Sequence, residues 1–126
     1  MSLDQFVARQ KSDLGLEFAA RIREAENQER QPPTDSALET YRKCIAMQVP
    51  DTLKGFALAR VARCSLRAGQ TNVCRDAYQT LLERYGDWHD PSHRPYALIA
   101  ALWLVELPPA DGLSSRSFLR PIMQDL

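Results

Sequence analysis

The chain has 126 residues, 44% of them apolar and 25% charged, enough for one domain with a core of its own. Sixteen basic residues balance sixteen acidic ones, so no excess of charge draws it to nucleic acid or to an anionic membrane surface. No apolar run approaches the ~20 residues of a membrane-spanning helix, and the N-terminal "MSLDQFVARQKSDLG" lacks the basic-then-apolar pattern of a secretory leader.

Leu3 to about Arg30 reads as a first helix. Phe6, Val7, Leu14, Phe18 and Ile22 fall along one stripe, with Gly15 a weak point that can split it. "QPPTDS" breaks the pattern, because paired prolines cannot continue a helix, and Thr34, Asp35 or Ser36 can cap the next. A second helix runs from about Ser36 to Met47 with Leu38, Tyr41 and Ile45 in register. "QVPD" closes it, and a third follows over roughly Asp51 to Ala68 with the stripe Leu58, Val61, Ala62 and Leu66. Gly69 stands where a left-handed residue ends a helix. A fourth spans about Thr71 to Tyr85, turning Val73, Ala77, Tyr78, Leu81 and Leu82 inward.

After the connection "GDWHDPSH", the fifth helix, "RPYALIAALWLVEL", is almost wholly apolar and should be packed on two sides. "PPADG" interrupts, and Leu113 to Leu126 reads as a sixth, amphipathic helix kinked at Pro121. The final "RPIMQDL" is an apolar helical pattern without a cap, as expected of a segment cut from a longer protein. No stretch alternates with a period of two, so the fold class is all-α: a single domain of helices joined by short turns as antiparallel hairpins.

Two internal matches support a repeat. "SALETYRKCIAMQVPD" aligns with "NVCRDAYQTLLERYGD" so that Ala37 meets Cys74 and Tyr41 meets Tyr78, at an offset of 37. "LARVARCSLRAG" aligns with "YALIAALWLVEL" so that Leu58 meets Tyr96, Val61 meets Ile99 and Ala62 meets Ala100, at an offset of 38. With Leu58, Val61, Ala62 and Gly69 on one helix and Cys74, Tyr78 and Leu81 on the next, the chain resembles the tetratricopeptide-repeat family over roughly residues 36–107. Ala62 and Cys74 would let the two helices approach while Tyr78 fills the space between. Ser65 departs from the family's aromatic position, which Trp103 fills in the next unit, and Gly86 stands in place of its terminal proline. The resemblance implies a right-handed array of stacked hairpins. The pattern "KGFALARVARCSLRAGQ…AYQTLLERYGD…RPYALIAALWLVEL" also resembles the helical-repeat input regions that lie outside the membrane in bacterial sensor histidine kinases.

Both histidines lie in "DWHDPSH", where Asp87, His89, Asp90 and His93 offer metal-ligand chemistry. Pro91 between the histidines argues against one helix carrying both, and Asp90–Pro91, Ser92 and Pro95 have the chemistry of a turn entering a helix. The reading is a structural loop without a metal, over which Trp88 packs. Cys44, Cys64 and Cys74, an odd number without CxxC spacing, suit buried helix-packing positions, and a Cys64–Cys74 bridge stays open for an exported domain. No phosphate loop, dinucleotide fingerprint or nucleophile turn is present.

By the tetratricopeptide resemblance, Phe56, Arg63, Leu66 and Arg67 would face a concave groove, where the arginines could grip a carboxylate, phosphate or acidic peptide. The alternative is an arginine face paired with carboxylates of neighbouring helices. The expectation is a non-catalytic module for a protein or peptide partner or a small ligand, needing no cofactor and making no direct contact with membrane. The resemblance places it outside the cytoplasm as a signal-transduction input domain. The runner-up is a cytoplasmic adaptor, and a small metal-dependent enzyme comes last.

Overall fold

The first predicted helix is in fact two. In the computed structural model, which describes residues 2–31 and 34–107, α1 spans Leu3–Arg9 and α2 spans Gly15–Glu29. Ser2 and Gln5 close a capping box at the start of α1. The chain reverses through Lys11, whose φ is 51°. A Cβ on Gly15 would lie 2.9 Å from Val7 Cγ1, so glycine permits the close approach of α1 to the start of α2. The predicted stripe survives the break: Phe6, Val7, Phe18 and Ile22 are all buried and Leu14 is half-buried.

Helix α3 spans Asp35–Ala46 and α4 spans Asp51–Arg67. Thr34 precedes α3 without capping it through its side chain, and Pro32 and Pro33 lie outside the described residues. Gly69, at φ 79°, ends α4 as its sequence position predicts. Gln70 N–H bonds to Ser65 O and Gly69 N–H to Leu66 O, the paired closure that a left-handed residue makes possible. Helix α5 spans Thr71–Tyr85 and α6 spans Tyr96–Glu106. The expected helix over 113–126 lies outside the described residues.

All six helices of the described residues are α-helices, and no strand accompanies them. Each helix packs on the next in the chain, from α1 on α2 to α5 on α6. Leu58 and Ala62 of α4 and Cys74 and Tyr78 of α5 are all buried, and the two helices pack on each other. Ser65, set in a position where a bulky ring was expected, is fully buried, and its hydroxyl donates to the carbonyls of Val61 and Ala62 in its own helix. Helix α4 is buried on most of its circumference, from Leu53 and Ala57 to Val61 and Cys64.

Helix α6 departs from expectation. It buries Tyr96, Ala100 and Leu104 but leaves Leu98, Leu102 and Val105 52%, 60% and 57% exposed. Among the described residues it is packed on one side, not two. Its apolar composition reports what the sequence can cover, not which described element covers it.

Candidate binding groove

Glu29, at the C-terminal end of α2, has a side chain only 5% exposed. It accepts hydrogen bonds from the Tyr41 hydroxyl of α3 at 2.9 Å and from Arg67 Nη1 of α4 at 2.6 Å. Arg63 Nη2 reaches both carboxylate oxygens at 3.4 Å. Three helices are thus tied at one buried carboxylate. Burial, and then the bond to Glu29, hold the Tyr41 phenol well above its usual range, so it remains a donor. Gln28 beside it accepts from the Thr40 hydroxyl at 2.6 Å and fixes the same joint.

Glu29 does not use up the cations around it. Arg63 keeps a buried Nε with no hydrogen-bond partner among the described residues. Arg60, one turn earlier on α4, lies over the Phe56 ring at 5.0 Å from its centroid, a cation–π contact that leaves its charge available. Among the described residues it has no salt-bridge partner. Arg60, Arg63 and Arg67 therefore confront one carboxylate strongly, on a chain whose formal charges cancel overall.

Arg60 and Arg63 line a groove of about 370 Å³ between α4 and α6. Phe56 and Ala59 continue the α4 wall, Ile99 and Trp103 form the α6 wall, and Tyr78 of α5 lies between. Trp103 stacks on Tyr78 with ring centroids 5.9 Å apart and planes within 3°, yet stays 41% exposed. The groove therefore offers Arg60 and Arg63 beside a flat aromatic shelf, with a third lining arginine, Arg94, paired to Asp90. A shallower depression of about 230 Å³ lies between α2 and α4, where Glu26, Glu29 and Arg30 meet the same arginines and Arg67.

One rim of the groove is the histidine loop. Asp90, 9% exposed, organises it: Oδ1 accepts from the backbone N–H of Ser92 and Arg94, and Oδ2 from Arg94 Nε at 2.9 Å. Asp90 N–H in turn bonds to Arg94 O, and Tyr96 N–H to Trp88 O. His93 takes a left-handed φ of 63° to complete the turn. Both histidines are exposed, and among the described residues no three His, Cys, Asp or Glu side chains gather to hold a metal ion. Trp88 is 43% exposed. Tyr96 starts α6 from the core, its hydroxyl donating to the Thr52 carbonyl at 3.1 Å.

The three cysteines are free and buried, so no Cys64–Cys74 bridge is present. Burial pushes the Cys44 and Cys74 thiols up to about 11 and raises Cys64 as well, the opposite of what a nucleophilic thiolate needs.

Of the four residues expected at a groove, Phe56 and Arg63 line the space between α4 and α6. Arg67 turns to Glu29 in the neighbouring depression, and Leu66 packs against the core. Arg60 shares the helical spacing of Arg63 and Arg67 and was legible as one of that row. Ile99 and Trp103 were legible only as repeat positions, and Asp90 only as a turn former. No family model, curated protein or solved structure matches this chain. Among the described residues no helix is long and apolar enough to cross a membrane.

Proposed function

We propose that this chain is a non-catalytic recognition module, and that its binding surface is the groove between α4 and α6. The observation that carries the reading is the Arg60–Arg63 pair: one arginine without a salt-bridge partner among the described residues, the other with a buried, unbonded Nε, both beside the Trp103–Tyr78 shelf. An acidic side chain or a terminal carboxylate would take the forked donors, and an adjoining apolar or aromatic residue would lie on the shelf. A groove of about 370 Å³ suits one or two residues of an extended peptide, with the rest running over the surface.

The helix order supports a tetratricopeptide-like array. In it, α2–α3 and α4–α5 are hairpins, α6 opens a third pair, and α2, α4 and α6 line the concave side. Both depressions then fall on that side, each between consecutive inner helices. Such arrays bind through their concave faces. The same groove serves a sensor input region, where occupancy would shift helix packing and pass to attached domains, or an adaptor holding a partner.

A peptide array tests the reading. It presents Asp or Glu next to Phe, Tyr, Leu or Ile, with Asn and Gln versions as controls. The acidic–apolar members should bind, more weakly as salt rises. Arg60→Ala should weaken binding about tenfold or more, a loss of ~1.4 kcal/mol or greater, while Tm falls only by the few degrees or so that losing its contact with Phe56 costs. Equal binding of the amide controls, or binding indifferent to Arg60→Ala, would overturn it.

A further inference from the structure

Helix α6 carries no charge before Glu106. Its buried side is Tyr96, Ala100 and Leu104. Its other side carries Leu98, Leu102 and Val105, spaced as i, i+4 and i+7 and all more than half exposed. Helix α5 shows the contrast: its outward positions are Asn72, Asp76, Glu83 and Arg84. A lone exposed leucine is ordinary, but an uninterrupted apolar stripe on a helix is a face to be covered.

Each earlier helix packs on the one that follows it. After Leu107 the chain has nineteen more residues, 108–126. Within them, "LSSRSFLRPIMQDL" repeats Leu119, Ile122, Met123 and Leu126 at i, i+3, i+4 and i+7, with Ser, Arg, Gln and Asp at most other positions and Leu113, Phe118 and Pro121 besides. We infer that residues 113–126 are the cover of α6, docking this stripe on Leu98, Leu102 and Val105 of the same chain.

Reach and area both favour this occupant. The link from Leu107 to Leu113 can extend ~20 Å, more than the 8–10 Å, roughly, between packed helix axes. So short a tether holds the segment at an effective concentration of order millimolar. A second copy of the chain is the poorer fit, because three half-exposed side chains on one short helix fall well below the ~800 Å² per partner of a stable interface. Pro121 lies within the stripe and limits how straight the cover can run. The inference stands apart from the ligand of the groove, although α6 also carries Ile99 and Trp103 on its groove side.

Alkylation of Leu102→Cys in the full chain tests it. The three native thiols are fully buried and serve as the internal control for folding. N-ethylmaleimide should modify the introduced thiol about tenfold or more slowly than it does in the Leu102→Cys/Ile122→Asp double variant, at every protein concentration. The native thiols should stay protected in both. Fast modification of the single variant would overturn the inference. So would protection that Ile122→Asp leaves intact. Protection that grows with concentration alongside a dimer mass in sedimentation would overturn it in favour of a second copy.

Discussion

Replacing Glu29 by alanine removes an acceptor shared by Tyr41 of α3 and by Arg63 and Arg67 of α4. The Tyr41 hydroxyl, on a residue 0% exposed, then loses its partner at 2.9 Å, and an unbonded buried hydroxyl costs about 1–3 kcal/mol. Arg63 and Arg67 have side chains 38% and 60% exposed, so their charges return to water and the lost pairs add only about 0.5–1 kcal/mol. The expected total is about 1.5–4 kcal/mol. For a domain of this size that lowers Tm by roughly 10 °C, read by circular dichroism and checked by urea unfolding.

A double-mutant cycle isolates the tyrosine part. In a Tyr41→Phe background no hydroxyl is left stranded, so Glu29→Ala should cost about 1–2 kcal/mol less there. Glu29→Gln keeps an acceptor but removes a negative charge beside three arginines. It should therefore lose stability while binding acidic peptides more tightly. A Glu29→Ala loss below about 0.5 kcal/mol, or strict additivity with Tyr41→Phe, would refute the buried three-helix joint.

Gly55→Ala should destabilise by about 1–3 kcal/mol, because its Cβ would lie 2.7 Å from Tyr96 Cε2 and 3.3 Å from Tyr85 Cβ; denaturant titration measures it. Asp90→Ala removes an acceptor of two backbone N–H groups and one guanidinium. It should cost about 1–2 kcal/mol and raise amide hydrogen exchange over residues 88–95. In alkali the fold should weaken. Cys44 and Cys74 are pushed from 9.0 to about 11, so the folded chain holds these protons more tightly than the unfolded one. Their contribution is full below pH ~9 and is lost as pH climbs towards 11, about 2–3 kcal/mol for each thiol. Unfolding midpoints measured from pH 7 to 11 check the direction, and a stability that rises over that interval would contradict it.

Helical periodicity and breaker residues determined a good deal of this protein. The span of α5, the ends of α4, the left-handed Gly69 and the burial of Ala62, Cys74 and Tyr78 all follow from local rules, which act within a turn or two of the residue concerned. The all-α class follows from the same rules, since no segment carries a period of two. Tertiary structure decided what local rules cannot address. The first helical pattern breaks between Arg9 and Gly15, with Lys11 left-handed, and Gly15 lets Val7 approach closely, a contact that exists only once the chain has turned back. Arg63 and Arg67 meet a carboxylate 34 and 38 residues away in sequence, which ties down Arg67 and leaves the buried Nε of Arg63 without a hydrogen-bond partner among the described residues. Asp90 was legible as a turn former, but that its carboxylate gathers the backbone N–H groups of Ser92 and Arg94 and the Arg94 guanidinium is seen only in the folded loop. Periodicity tells which side of a helix is apolar. Which neighbour comes to that side, and which charges then find each other, depends on how the helices pack in space.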